Sequence, residues 1–239
     1  MARRDVGSPR PRPAGQTIAL REPVVSLADG QPRPRWRGRI HLVGFLVSLP
    51  AGLALLWAAD SATEAIGLLI YVFSVMLLFG TSAAYHLLAR SDRAQLIMRR
   101  LDHSMIFVQI AGTYTPVCLL ALPPEWGRPI LVLIWVSAVV GVVVKLMAGE
   151  RLLRMSNVLY ILLGWVALAA LPVILRHLSR GEFALLVIGG VMYTIGAVLF
   201  YCRRPRLQPL IFGYHEVWHG FTVAAALAHF GMVWMVTGH

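Results

Sequence analysis

From His41 onward the chain alternates between long apolar runs and short connections that carry charge, proline or glycine. At 1.5 Å per helical residue, about 20 residues cross the roughly 30 Å of membrane hydrocarbon. Seven runs reach that length, approximately His41–Ala59, Ala65–Leu88, Asp102–Leu122, Pro129–Ala148, Asn157–Leu175, Phe183–Cys202 and Gly213–Val236. The pattern predicts an all-α polytopic membrane protein, a bundle of seven transmembrane helices. Pro50, Pro116 and Pro172 lie inside spans, where neighbouring helices can satisfy the freed carbonyls, and mark expected kinks.

The first 39 residues follow a different pattern. They are rich in Arg, Pro and Gly, and their apolar stretches are too short to offset the entropy of ordering, so a disordered tail is expected over residues 1–39. Arg21, Glu22 and Pro23 interrupt the one stretch that resembles the apolar core of a secretory signal, which predicts that the tail is retained. The expected organisation is a cytosolic tail, 1–39, and a membrane domain, 40–239.

Composition agrees with the spans. The chain is 58% hydrophobic and 14% charged, and soluble domains carry about a quarter charged residues. A net charge of +11 in a soluble chain would suggest nucleic acid, but here the spans divide the charge between two sides. Of the 22 Lys and Arg residues, 19 fall in the tail and the connections on its side, and 3 on the other. Without the tail the split is 10 to 3. The positive-inside rule then predicts a cytosolic N-terminus and an external C-terminus, with no nucleic-acid partner. Cys118 and Cys202 lie in apolar runs without CxxC spacing and read as small packing residues.

Ionisable groups inside spans are costly and mark functional sites. Span two ends on Ser82 and His86, span three opens on Asp102, His103 and Ser104, and span seven opens on Tyr214, His215, Glu216 and His219. Chain direction brings all of these ends to the cytosolic side. His215 and His219 share a helical face, as do Ser82 and His86. Two imidazoles on one turn, a third from another helix and a nearby carboxylate are what a catalytic zinc site requires. Gln109 and Thr113 follow Asp102 within about 20° of one face, predicting a polar stripe that leads into a cavity; Thr222 continues it above His215. The plainer alternatives are headgroup contact for His86, helix packing for Ser82, and interfacial or capping roles for His103 and Ser104. His229 reads as a paired core histidine, being about 15 Å beyond His219 and off its face.

Three motifs occur in order on the expected spans: Phe79-Gly-Thr-Ser-Ala-Ala-Tyr-His86, Leu101-Asp-His-Ser-Met-Ile-Phe107 through Ala111-Gly-Thr-Tyr-Thr-Pro116, and Phe212-Gly-Tyr-His-Glu-Val-Trp-His219 through Ala228-His-Phe230. Together they resemble the hemolysin III branch of the progestin and adiponectin receptor family. The resemblance implies a seven-helix membrane protein with zinc (Zn2+) held by His86, His215 and His219. It further implies that Asp102 contacts the metal's water ligand and that Ser82 belongs to the same site. Alkaline ceramidases in the wider superfamily imply a lipid amidase activity, and the family name implies an association with cell lysis. The motifs and the compact chain suggest a bacterial cell membrane.

The expected activity is therefore hydrolysis of a lipid amide or ester from the inner leaflet, with membrane lipids as partners. Asp102 would orient or deprotonate water, and Ser82 would bond the developing oxyanion or hold a ligand. Three other readings stand beside it. One is a non-enzymatic receptor or stress-signalling protein with structural zinc. Another is a membrane-associated cytolysin. The third is an intramembrane protease, because His215-Glu-Val-Trp-His219 spells HExxH, although its Asp precedes the motif.

Overall fold

A computed structural model describes residues 33–147, 159–208 and 210–238. The expected disordered tail lies outside the described residues up to position 32. Among the described residues, seven helices are long and apolar enough to cross a membrane: α1 Arg39–Trp57, α2 Ala62–Leu88, α3 Asp92–Ala121, α4 Pro124–Met147, α5 Leu159–His177, α6 Arg180–Tyr201 and α7 Tyr214–Val236. The protein is an all-α, multi-pass membrane bundle.

Local chemistry sets the helix starts. Ser61 Oγ accepts the Glu64 amide at the head of α2, and Ser91 Oγ accepts that of Ala94 at the head of α3. Ser179 and Glu182 cap α6 reciprocally. The Ser91 cap accounts for the largest departure from the apolar pattern, since α3 begins ten residues before the predicted span. Its first turns carry Asp92, Arg93, Arg99 and Arg100 and are polar yet helical, so Asp102 sits well inside the helix and not at its mouth.

The three prolines behave differently. Pro50 lies within uninterrupted α1. At Pro116 the α-helical turn of α3 widens into a π turn over Val117–Ala121. Pro172 follows a tightened 3-10 segment, Val166–Ala170, in α5. Lys145, in the last turn of α4, is buried, its Nζ 5.0 Å from the Tyr160 ring centroid. Cys118 is buried as expected, but Cys202 follows the end of α6 and is exposed.

Consecutive helices α1 to α4 pack side by side, α6 packs on α7, and α7 also touches α1 and α3. The inner helices are α2 and α3, with 50% and 56% of their apolar windows buried against 11% for α6. Outward faces are lined by residues such as Val43, Leu53, Phe73, Val132 and Val139, each more than half exposed, which suits hydrocarbon and not water. Between α2 and α3, Ser74 donates to Gln109 Oε1, and Gln109 Nε2 donates to Thr113. The polar stripe expected along α3 is therefore closed on itself across the seam, with Gly112 leaving the room that Ser74 occupies.

Candidate metal centre

The end of α2 and the start of α7 meet at one face of the bundle. His86 and Ser82, one turn apart on α2, are both buried, as is His219 on α7. His86 Nε2 and His215 Nε2 stand 3.2 Å apart. The ring centroids of His86 and His219 are 5.0 Å apart, and those of His215 and His219 are 4.7 Å apart. One nitrogen from each imidazole falls within 4.8 Å of the others, so His86, His215 and His219 form a cluster able to hold a metal ion.

The donor set suits such an ion. Two nitrogens bound tetrahedrally to one zinc at about 2.0–2.1 Å would lie about 3.3 Å apart, close to the observed separation. His219 Nδ1 is buried without a hydrogen-bond partner. A buried imidazole nitrogen in that state is costly unless something coordinates or bonds it.

Asp102 does not join the three imidazoles. It lies on α3 beside Ser82, close enough to interact but short of hydrogen-bond geometry, and Ser82 Oγ is left buried with no partner. The His103 backbone carbonyl accepts from the Tyr160 hydroxyl, and Ser104 donates to the Arg100 carbonyl one turn earlier in α3. Thr222 is buried and donates to the Trp218 carbonyl. His229 bonds the Leu186 carbonyl through Nε2, away from the cluster.

Two residues at this face, His41 and Arg37, were not singled out from sequence. His41 on α1 is buried and stacks on His219 with ring centroids 3.8 Å apart and planes within 9°. Its only signal was a histidine at the head of an apolar run. Arg37 forms an ion pair with Glu216, both buried. The second oxygen of Glu216 accepts the Gly213 amide and so opens α7 immediately before His215. Both Glu216 oxygens are thus engaged away from the imidazoles, unlike the general base of an HExxH protease.

Arg37 belongs to a strap, residues 33–38, drawn across the site although the expected tail extended to residue 39. Arg33 donates to the His86 carbonyl, near the helix end where carbonyls lack intrahelical partners. The amides of Arg35 and Trp36 donate to the carbonyls of Leu210 and Ile211 before α7. Gly38 closes the strap at φ 80°, where a Cβ would come within 2.6 Å of His86 Cβ. The strap is held by the Arg33, Arg35 and Trp36 hydrogen bonds to these carbonyls and by the Arg37–Glu216 pair.

Fold and site define a multi-pass membrane protein with a buried tri-histidine centre at one end of the bundle. The chain belongs to the haemolysin-III-related family, whose sequence profile matches residues 30–230. It is 32% identical to a hemolysin-3 homolog of Bacillus subtilis over 193 residues, covering 80% of this chain and 87% of the relative. Similarity to hemolysin-3 of Bacillus cereus is 31% over 193 residues, with 80% and 85% covered. A more distant human relative, monocyte to macrophage differentiation factor, is 25% identical over 180 residues, covering 74% and 72%.

Proposed function

We propose that this protein is a zinc-dependent hydrolase of the bacterial cell membrane, cleaving a lipid amide or ester at the cytosolic leaflet. The observation that carries the reading is the buried tri-histidine cluster beside an unpartnered Ser82 hydroxyl and the Asp102 carboxyl. His86, His215 and His219 would hold the ion. Bound there, zinc would supply a Lewis acid for a carbonyl and lower the pKa of water to about 7.

The remaining work falls to the chain's own groups. Asp102 would take the proton of an attacking water as its oxygen bonds the substrate carbonyl carbon. Ser82 has a free O–H to direct at the carbonyl oxygen as charge develops there. The C–N or C–O bond then breaks, and Asp102 returns the proton to the departing amine or alcohol. The charge asymmetry of the connections supports a cytosolic placement of this end.

The test is fatty-acid release by purified, zinc-loaded protein from ceramides, N-acyl lipids and phospholipids. Release that disappears in Asp102→Asn supports the proposal. A fully loaded protein inert on the whole panel would leave the receptor reading, with zinc in a structural role.

A further inference from the structure

About 15 Å beyond His219 along α7, a second group of buried polar atoms lies in the bundle interior. His229 on α7 is buried, and its ring centroid is 5.8 Å from that of Tyr193 on α6. Tyr71 on α2 is 1% exposed, and its phenol lies near enough to that of Tyr193 to interact electrostatically. Tyr71 Oη, Tyr193 Oη and His229 Nδ1 are all buried without a hydrogen-bond partner.

The roles of these atoms follow from one contact. His229 Nε2 lies 3.3 Å from the Leu186 carbonyl oxygen, which only accepts, so Nε2 carries the proton. In the uncharged ring Nδ1 is then an acceptor. The ring is seated against the backbone of α6, because a Cβ at Gly189 would come within 2.2 Å of Nε2. Hence one acceptor and two hydroxyls, from three different helices, face apolar surroundings unsatisfied. In hydrocarbon each such group is costly, and native interiors rarely leave even one.

We infer that Tyr71, Tyr193 and His229 form a second, metal-independent binding site that takes a neutral hydroxyl group. A hydroxyl can donate to His229 Nδ1 while accepting from a tyrosine. A carboxylate or phosphate cannot donate to Nδ1, and an ammonium cannot accept from the tyrosines. The O–H belongs either to an ordered water or to the alcohol function of a lipid. The site does not depend on the hydrolase reading.

The sign of a stability change tests this. If the site is filled, Tyr71→Phe and Tyr193→Phe each remove a made hydrogen bond and lower the melting temperature in detergent by about 2–4 °C. Because both hydroxyls serve one occupant, the double variant loses less than the sum of the single losses. Unchanged or raised melting temperatures would mean an empty site, and strictly additive losses would mean two unrelated partners; either overturns the inference. The source of the O–H is read by exhaustive delipidation of the wild type. A melting temperature that survives delipidation identifies water. One that falls, and recovers with monooleoylglycerol but not with methyl oleate, identifies a lipid hydroxyl. A fall reversed equally by both lipids removes the hydroxyl from the account.

Discussion

Arg37 and Glu216 join the strap before α1 to the first turn of α7 through a buried ion pair. One Glu216 oxygen receives the guanidinium and the other the Gly213 amide. The residue that completes an HExxH string in the sequence is thus a structural anchor, and it fixes the turn that carries His215 and His219.

Breaking this pair from one side leaves an uncompensated charge in the bundle. Arg37→Met or Glu216→Leu is expected to destabilise by about 3–5 kcal/mol, while the double change Arg37→Met/Glu216→Leu costs far less. Thermal unfolding in detergent measures both. A double-variant loss equal to the sum of the two single losses would show that the pair has no energetic coupling.

Metal content separates ligands from neighbours. Elemental analysis is expected to show loss of zinc in His86→Ala, His215→Ala and His219→Ala, and retention in Asp102→Asn, Ser82→Ala and Glu216→Gln. Removing a ligand should cost most of the affinity, whereas changing an outer partner typically costs about 10–100-fold. Zinc retained by any of the three alanine variants removes that histidine from the ligand set.

The difference between what the sequence carried and what it hid follows from where each signal lies. Seven spans were legible because apolar runs of helix-crossing length leave little choice of structure in a bilayer. His86, His215 and His219 were legible because i, i+4 spacing and chain direction bring them to one end. The polar beginning of α3 was hidden, since hydropathy reports where lipid ends and not where a capped helix starts. The strap was hidden too, because beyond its own turn bonds, such as Arg37 N–H to the Pro34 carbonyl, it is held by groups far along the chain. Those partners are His86, Leu210, Ile211 and Glu216. The closure of the α3 stripe depended in the same way on Ser74, a serine from another helix.

Gly38 tests how closely the strap is coupled to the metal centre. Its left-handed φ of 80° and the 2.6 Å approach to His86 Cβ both oppose a side chain. Gly38→Ala is expected to cost at least about 1–2 kcal/mol and to weaken zinc binding by displacing His86. Gly220→Ala is the control, because a Cβ there meets nothing within 4 Å and alanine favours the helix. Similar zinc affinity and stability in both variants would uncouple the strap from the site.

His41 presents a choice between shape and chemistry. It stacks on His219 at 3.8 Å, a contact worth about 0.5–1.5 kcal/mol beyond its buried area, yet neither of its ring nitrogens makes a hydrogen bond. An aromatic ring without nitrogens should therefore serve as well in holding the plane of His219, and should relieve two unsatisfied buried atoms. His41→Phe is expected to melt at or above the wild-type temperature and to keep its zinc. His41→Ala, which loses the ring and leaves a cavity, should fall by about 3 kcal/mol and bind zinc more weakly. Stability and metal titration in the two variants separate the roles, and loss of zinc in His41→Phe at unchanged stability would show that an imidazole nitrogen, not the stack, is what the centre requires.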